Sequence, residues 1–314
     1  MFLPPSFQLR ARAADSLTHA PSHRRLVLLH AGLAALLSLL VSGINFAMDS
    51  GIQNTGGLQG VGLRSILTTV QTLLTLAMTV LLPFWDLGYT RCAMTLARKA
   101  HTPDSTLLYG FRRFRPALRL LLLSYLLYAL LGVACIYAGT TVLSFTPLAN
   151  DANTLIMASG GDPTTIDPQR LLDTMIPLLL GGGVLFAAVA IFLSYRLRLA
   201  DYFMLDGSGA RQSLLQSARS MKGNCLALLR LDLGFWWYYA AQALLTVIGY
   251  GDLLLPHLGI QMNTTVAYFL FYVLSLAAQL GLFWWKQNSV SVTYAHAYLS
   301  LLPDKENGQL TMDN

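Results

Sequence analysis

The chain has 314 residues, 54% of them hydrophobic and only 11% charged, with a formal net charge of +6. A mean hydropathy of +0.52 excludes a run of ordinary soluble domains and points to a protein of the bilayer. Cys92, Cys135 and Cys225 are odd in number and unclustered, so neither a disulfide framework nor a zinc site is written into the sequence.

A membrane-crossing helix needs roughly 20 apolar residues to traverse about 30 Å of hydrocarbon. Residues 26–48, 66–85, 118–143, 175–195, 233–255 and 265–285 reach that length. The expected fold is therefore all-α, a polytopic bundle of about six transmembrane helices with amphipathic elbow helices on the cytoplasmic side. Residues 26–286 form the membrane domain. Residues 1–25 are a cytoplasmic N-terminal amphipathic segment, and residues 287–314 a cytoplasmic C-terminal tail. The first apolar run is too long and too far from the N-terminus for a usual signal peptide, so it is expected to be retained.

Of the 21 Lys and Arg residues, only Arg64 and Arg170 fall outside the segments that this topology places on one side. Short loops rich in Lys and Arg stay in the cytoplasm, so both termini are expected there. Trp85, Trp236, Trp237, Trp284 and Trp285 lie at the same ends of their spans. Headgroup depth suits an indole, which has an apolar ring and a wet N–H.

In chain order, FQLRARAADSL places Phe7, Ala11, Ala14 and Leu17 at helical spacing, as in a short helix lying on the inner leaflet. Residues 51–62, rich in Gly, Gln and Asn, suit an outer turn. Asp104 or Ser105 then caps a first elbow helix in which Leu107, Leu108, Phe111 and Phe114 form a stripe, with Arg112, Arg113 and Arg115 nearby. In the outer loop, Asp162-Pro163 and Asp167-Pro168 fit an N-cap followed by proline at the first helical position. Asp151 and Asp173 complete a set that does not follow the spacing of a calcium loop. Gly181-Gly182-Gly183 permits either close helix approach or a broken helix. A second elbow, SLLQSARSMKGN, sets Leu214, Ala218 and Met221 beside Arg219 and Lys222, with Arg211 just ahead. The two elbows align without gaps at a fixed offset, Leu107 on Leu214 and Arg115 on Lys222, as a duplicated hairpin would. Asn263-Thr264-Thr265 matches a glycosylation sequon.

Asp86, Asp201 and Asp232 occupy inner span ends close to Arg91, Arg196, Arg198 and Arg230. Charges near membrane depth are costly and need a reason. One reading is a polar vestibule of Asp86, Asp201, Asp232, Arg196 and Arg198 open to the cytoplasm. The other is ion pairing at the interface, such as Arg198 with Asp201 at i and i+3. Glu306 is the one glutamate of the chain, and HExxH, Walker A and GxSxG are absent. His30 with one of these aspartates is the sole seed of a catalytic site, and nothing in the spacing fixes its geometry. No catalytic, metal or cofactor-binding residue is assigned.

Residues 195–241 resemble a bacterial integral membrane family known as domain of unknown function 975. The likeness is carried by Tyr195 and Tyr202, by Asp206 before a turn, by the helix 213–220, by Met221-Lys222-Gly223 and by the stretch 231–237. Asn224 stands where that family often has histidine, and TYAHAY near the C-terminus is only loosely similar. More distantly, the chain is similar to the non-catalytic membrane portion of glycerophosphodiester phosphodiesterases. The resemblance implies a non-enzymatic protein of a bacterial cytoplasmic membrane.

Anionic membrane lipid is the natural partner of such a basic inner face, joined by a membrane protein partner. No basic face lies away from the membrane, so nucleic acid is not expected. Arg112, Arg113, Arg115, Arg211, Arg219 and Lys222 are the expected headgroup contacts. The function expected is transport, export or envelope organisation. The alternatives are a transporter or channel with a path between helix hairpins and, third, a membrane-embedded enzyme.

Overall fold

The computed structural model describes residues 2–20, 23–54, 58–100, 102–143, 145, 168–251 and 264–302. Every regular element among them is helical. Helices α1 (Ser6–Thr18), α2 (His23–Asn54) and α3 (Leu58–Ala97) are followed by a 3-10 turn (Asp104–Leu108), α4 (Tyr109–Arg112) and α5 (Phe114–Leu143). Next come α6 (Pro168–Leu197), α7 (Ala200–Leu205), α8 (Ala210–Ser220), α9 (Cys225–Leu233) and α10 (Trp236–Gly249). Finally α11 (Thr264–Leu282) runs through a π turn (Phe283–Gln287) into α12 (Asn288–Leu299).

Among the described residues five stretches are long and apolar enough to cross a membrane: His23–Ile44, Ser65–Ala97, Phe114–Gly139, Gly182–Leu205 and Ala267–Leu299. Only part of the span expected at 233–255 can be described, since residues 252–255 lie outside the described residues. Its apolar run is interrupted at Gly234 and Phe235, whose N–H groups donate to Leu231 and Asp232 carbonyls in tight turns. A helix of 14 residues, α10, then begins afresh. Residues 252–263, with the sequon asparagine, lie outside the described residues, as do Asp151, Asp162 and Asp167.

The chain divides into two compact units. Unit 1 comprises Met1–Ala117, Asp201–Ser208 and Gly223–Asn314, and unit 2 comprises Leu118–Ala200 and Gly209–Lys222.

In unit 1 the core lies at one end. Helix α3 has 40 residues, about 60 Å at the usual rise, twice what the hydrocarbon requires. Its most apolar stretch is exposed, as lipid-facing helix surface must be, because lipid tails reward burial no more than leucine does. Beyond Pro83 it is buried, at Phe84, Leu87, Tyr89, Cys92, Ala93, Met94, Leu96 and Ala97. The first elbow packs here at very short range. A Cβ at Gly88 would fall on the Leu107 carbonyl, and one at Gly110 on the Phe84 carbonyl. Glycine at both positions lets backbone meet backbone.

That elbow is not one amphipathic helix. It is a 3-10 turn and a short helix that stops at Arg113. Leu107 is buried while Leu108, Phe111 and Phe114 are exposed. The second elbow, α8, is a continuous helix whose buried face carries Ala210, Ser213 and Ser217, with Met221 beyond its end. The matched basic positions are exposed in both, but the backbones differ.

Helix α12 falls within the stretch assigned to the tail and is buried almost all round: Asn288, Val290, Val292, Thr293, Tyr294, Ala295, Ala297 and Tyr298. Helix α1 lies against it with Leu9, Ala13 and Ser16 buried. Of the stripe read from the sequence, Phe7, Ala11 and Ala14 are exposed and Leu17 is half-buried, so this stripe is a different face from the one packed on α12. Small residues at 13 and 16 let α1 approach closely, and Ser16 Oγ meets His296 Nε2 at 2.9 Å.

In unit 2, α6 continues unbroken through Gly181–Gly183. The Gly182 Cα lies against α5 at Ile136, which is the close-approach reading of the triplet.

Candidate functional site

Asp206 has three side-chain partners within unit 1. It follows α7, where Gly207 at φ +103° closes the helix in a left-handed turn open to glycine. This turn aims Asp206 at the buried end of α3. Arg98 Nη2 donates to its Oδ2 at 2.6 Å, Arg91 Nη1 approaches Oδ1 at 3.5 Å, and Tyr298 O–H donates to Oδ2 at 2.6 Å. Tyr298 is itself held by Tyr202 in a stack and Phe203 edge-on. With a side chain only 13% exposed, the carboxylate rests on charge-assisted bonds from two guanidiniums.

Tyr298 ends a polar stripe along the last helix. Gln287, Ser291, Tyr294 and Tyr298 are spaced four, three and four apart, one face of an α-helix. Tyr294 O–H donates to Asp232 Oδ1 and Tyr238 O–H to Gln287 Oε1, while Gln287 Nε2 donates to Ser291 Oγ at 3.4 Å. Tyr239 adds a second bond to Asp232, at 3.2 Å. Alongside, Tyr89 O–H donates to Asn288 Oδ1 at 2.8 Å.

Helix α11 repeats the spacing in Tyr268, Tyr272, Ser275 and Gln279. Tyr268 and Tyr272 pair with Ser42 and Ser38 of α2, and Ser275 donates to the Leu245 carbonyl of α10. Such bonds join helices where hydrophobic burial offers little.

The residues expected at a vestibule are Asp86, Asp201, Asp232, Arg196 and Arg198. Asp232 is in the tyrosine cluster just described. Asp86, 67% exposed, lies 3.3 Å from His30 Nε2. The His30 ring stacks between Trp85 and Tyr89, and Trp85 Nε1 donates to the His30 carbonyl. Asp201 is exposed in the first turn of α7, and Arg198 is exposed in the turn before it. Arg196 is engaged inside unit 2, donating to the Ala218 carbonyl at 3.1 Å and lying over Phe192. Asp206 was missed as a site residue, although its Asp-Gly step before a turn was visible in the sequence.

The headgroup candidates stand differently. Arg112, Arg113, Arg115, Arg211, Arg219 and Lys222 are all exposed. Arg113 lies over the Tyr109 ring, 5.9 Å from its centre. The side chains of the other five have no hydrogen bond or ion pair among the described residues. Of the tryptophans, Trp236, Trp284 and Trp285 are exposed, and Trp237 packs on Trp285 with Lys286 over both rings.

Among the described residues no three His, Cys, Asp or Glu side chains gather as metal ligands. The architecture is that of a helical, multi-pass membrane protein. Comparison with family models, with curated proteins and with solved structures gives no match.

Proposed function

We propose that this is a non-enzymatic protein of a bacterial cytoplasmic membrane that binds anionic lipid through its basic elbows. Both termini lie in the cytoplasm, and the protein supports transport, export or envelope organisation together with a membrane protein partner. One contrast carries the reading: the interior carboxylates Asp206 and Asp232 are bound by the protein's own side chains, whereas the elbow cations are exposed and, apart from Arg113 over the Tyr109 ring, unengaged. Anionic headgroups are the partners such cations find at a cytoplasmic leaflet, at about 1 kcal/mol each.

In nanodiscs of mixed phosphatidylglycerol and phosphatidylcholine, the wild type is expected to retain the anionic lipid preferentially. Changing Arg112, Arg113, Arg219 and Lys222 together to Gln should cut that preference at least about tenfold. Equal retention of the two lipids by the wild type, or no change in the variant, would overturn the proposal. Topology has its own test. Cysteines placed at 112 and 219 should resist an impermeant thiol reagent in intact cells and react after lysis, and labelling from outside would reverse the orientation.

An enzymatic reading draws on one observation, the His30–Asp86 pair. Stacking of the imidazole between Trp85 and Tyr89 favours a structural role for that pair, since it fixes the ring against two aromatic faces.

A further inference from the structure

Unit 2 contains an open groove of about 670 Å³ between α5 and the start of α8. Leu122, Leu123, Leu126 and Leu215 form its apolar surface, and Arg119 and Arg211 stand beside them. On α5 the arginine precedes the first leucine by one turn. On α8 Arg211 likewise precedes Leu215. Each helix therefore presents a cation first and apolar surface after it.

Neither guanidinium has a hydrogen bond or ion pair among the described residues. Leu122, Leu126 and Leu215 are exposed although they line the groove. The three α5 leucines fall in a stretch apolar enough to cross a membrane.

Three kinds of occupant can be compared by what they leave unsatisfied. Inorganic phosphate would pair with the cations and leave the leucines bare. A neutral lipid would cover the leucines and leave two cations without a counter-charge. An anionic phospholipid matches both halves. Two guanidiniums suit a phosphate, each offering a planar fork of donors, and an acyl chain suits leucine.

We infer that this groove is a binding site for a single anionic phospholipid, with its phosphate at Arg119 and Arg211 and an acyl chain along the leucines. The inference rests on the lipid-binding reading above and adds a defined place to it, on residues separate from the first elbow.

The test uses the full chain in nanodiscs of phosphatidylcholine doped with a phosphatidylglycerol that carries a diazirine on one acyl chain. Diazirine-bearing phosphatidylcholine serves in a parallel sample. After irradiation, the phosphatidylglycerol probe should label the peptides containing residues 122–126 and 215 well above the phosphatidylcholine probe. R119Q and R211Q should each lower that labelling about fivefold. The R119K/R211K double variant should keep most of it, and Leu126→Trp, which fills the groove with both cations intact, should lose it.

Equal labelling by the two probes would make the groove ordinary lipid-facing surface and overturn the inference. So would unchanged labelling in R119Q/R211Q. If the elbow variants lose lipid preference while the groove peptides are never labelled, this inference fails and the general lipid-binding reading stands. If the wild type retains no anionic lipid preferentially, both fail.

Discussion

Asp206→Ala should destabilise the protein by about 3–5 kcal/mol, the usual loss when one partner of a buried ion cluster is removed. The cause is what remains. Arg91 and Arg98, both largely buried, would keep their charge with no carboxylate beside them, and Tyr298 would lose its acceptor at a site 1% exposed. Arg91 retains a bond to the Leu205 carbonyl and lies over the Tyr109 ring, so Arg98 takes most of the loss. A lower thermal unfolding midpoint of the purified protein in detergent measures the effect. Adding Arg98→Met to Asp206→Ala should recover part of it, because removing the orphaned charge removes its desolvation cost. No recovery in the double variant would mean that Asp206 acts through the turn at Gly207 rather than through the cluster.

The second large effect is expected at Gly110. Its Cα faces the Phe84 carbonyl so closely that even the methyl of Gly110→Ala lies on backbone. Backbone of a buried helix end cannot rotate aside as a side chain can, so the elbow must lift from α3. A loss of about 3 kcal/mol, at the upper end of ordinary overpacking, should appear as a lower unfolding midpoint and faster proteolysis between residues 98 and 115. Gly183→Ala is the control. It adds the same methyl in a helix where nothing lies within 4 Å, so it should be neutral or stabilising by up to about 1 kcal/mol. Similar losses at both glycines would refute the close-packing account.

The long apolar helices were legible because a span is a local property: length and composition suffice. The break at Gly234 and Phe235 was not, since the residues around it are as apolar as those of a continuous span. The basic stretches at 104–115 and 210–222 were legible along the chain; which side chains the protein itself buries there was not. Helical periodicity marks where apolar side chains cluster. The surfaces actually buried on α1 and α8 use Ala13, Ser16, Ser213 and Ser217, small residues chosen by close approach rather than by hydrophobicity. Asp206 and Tyr298 lie 92 positions apart, and Asp232 and Tyr294 lie 62 apart. No spacing rule reaches that far. What the sequence did show there, an Asp-Gly turn and a tyrosine-rich final helix, becomes a site only once α12 is seen between α1 and α3.

The position of α12 also dictates an order of events during synthesis. Its His296 contacts Ser16 across 280 residues. At roughly 5–20 residues per second, α1 leaves the ribosome on the order of 15–60 seconds before the helix it packs against exists. Unit 2 lies entirely between those two helices in the chain, so its hairpin can form while unit 1 is still open. During that interval Leu9 and Ala13 of α1 lack the helix that covers them. The last helix is therefore a keystone, completing a core whose other pieces were made long before it.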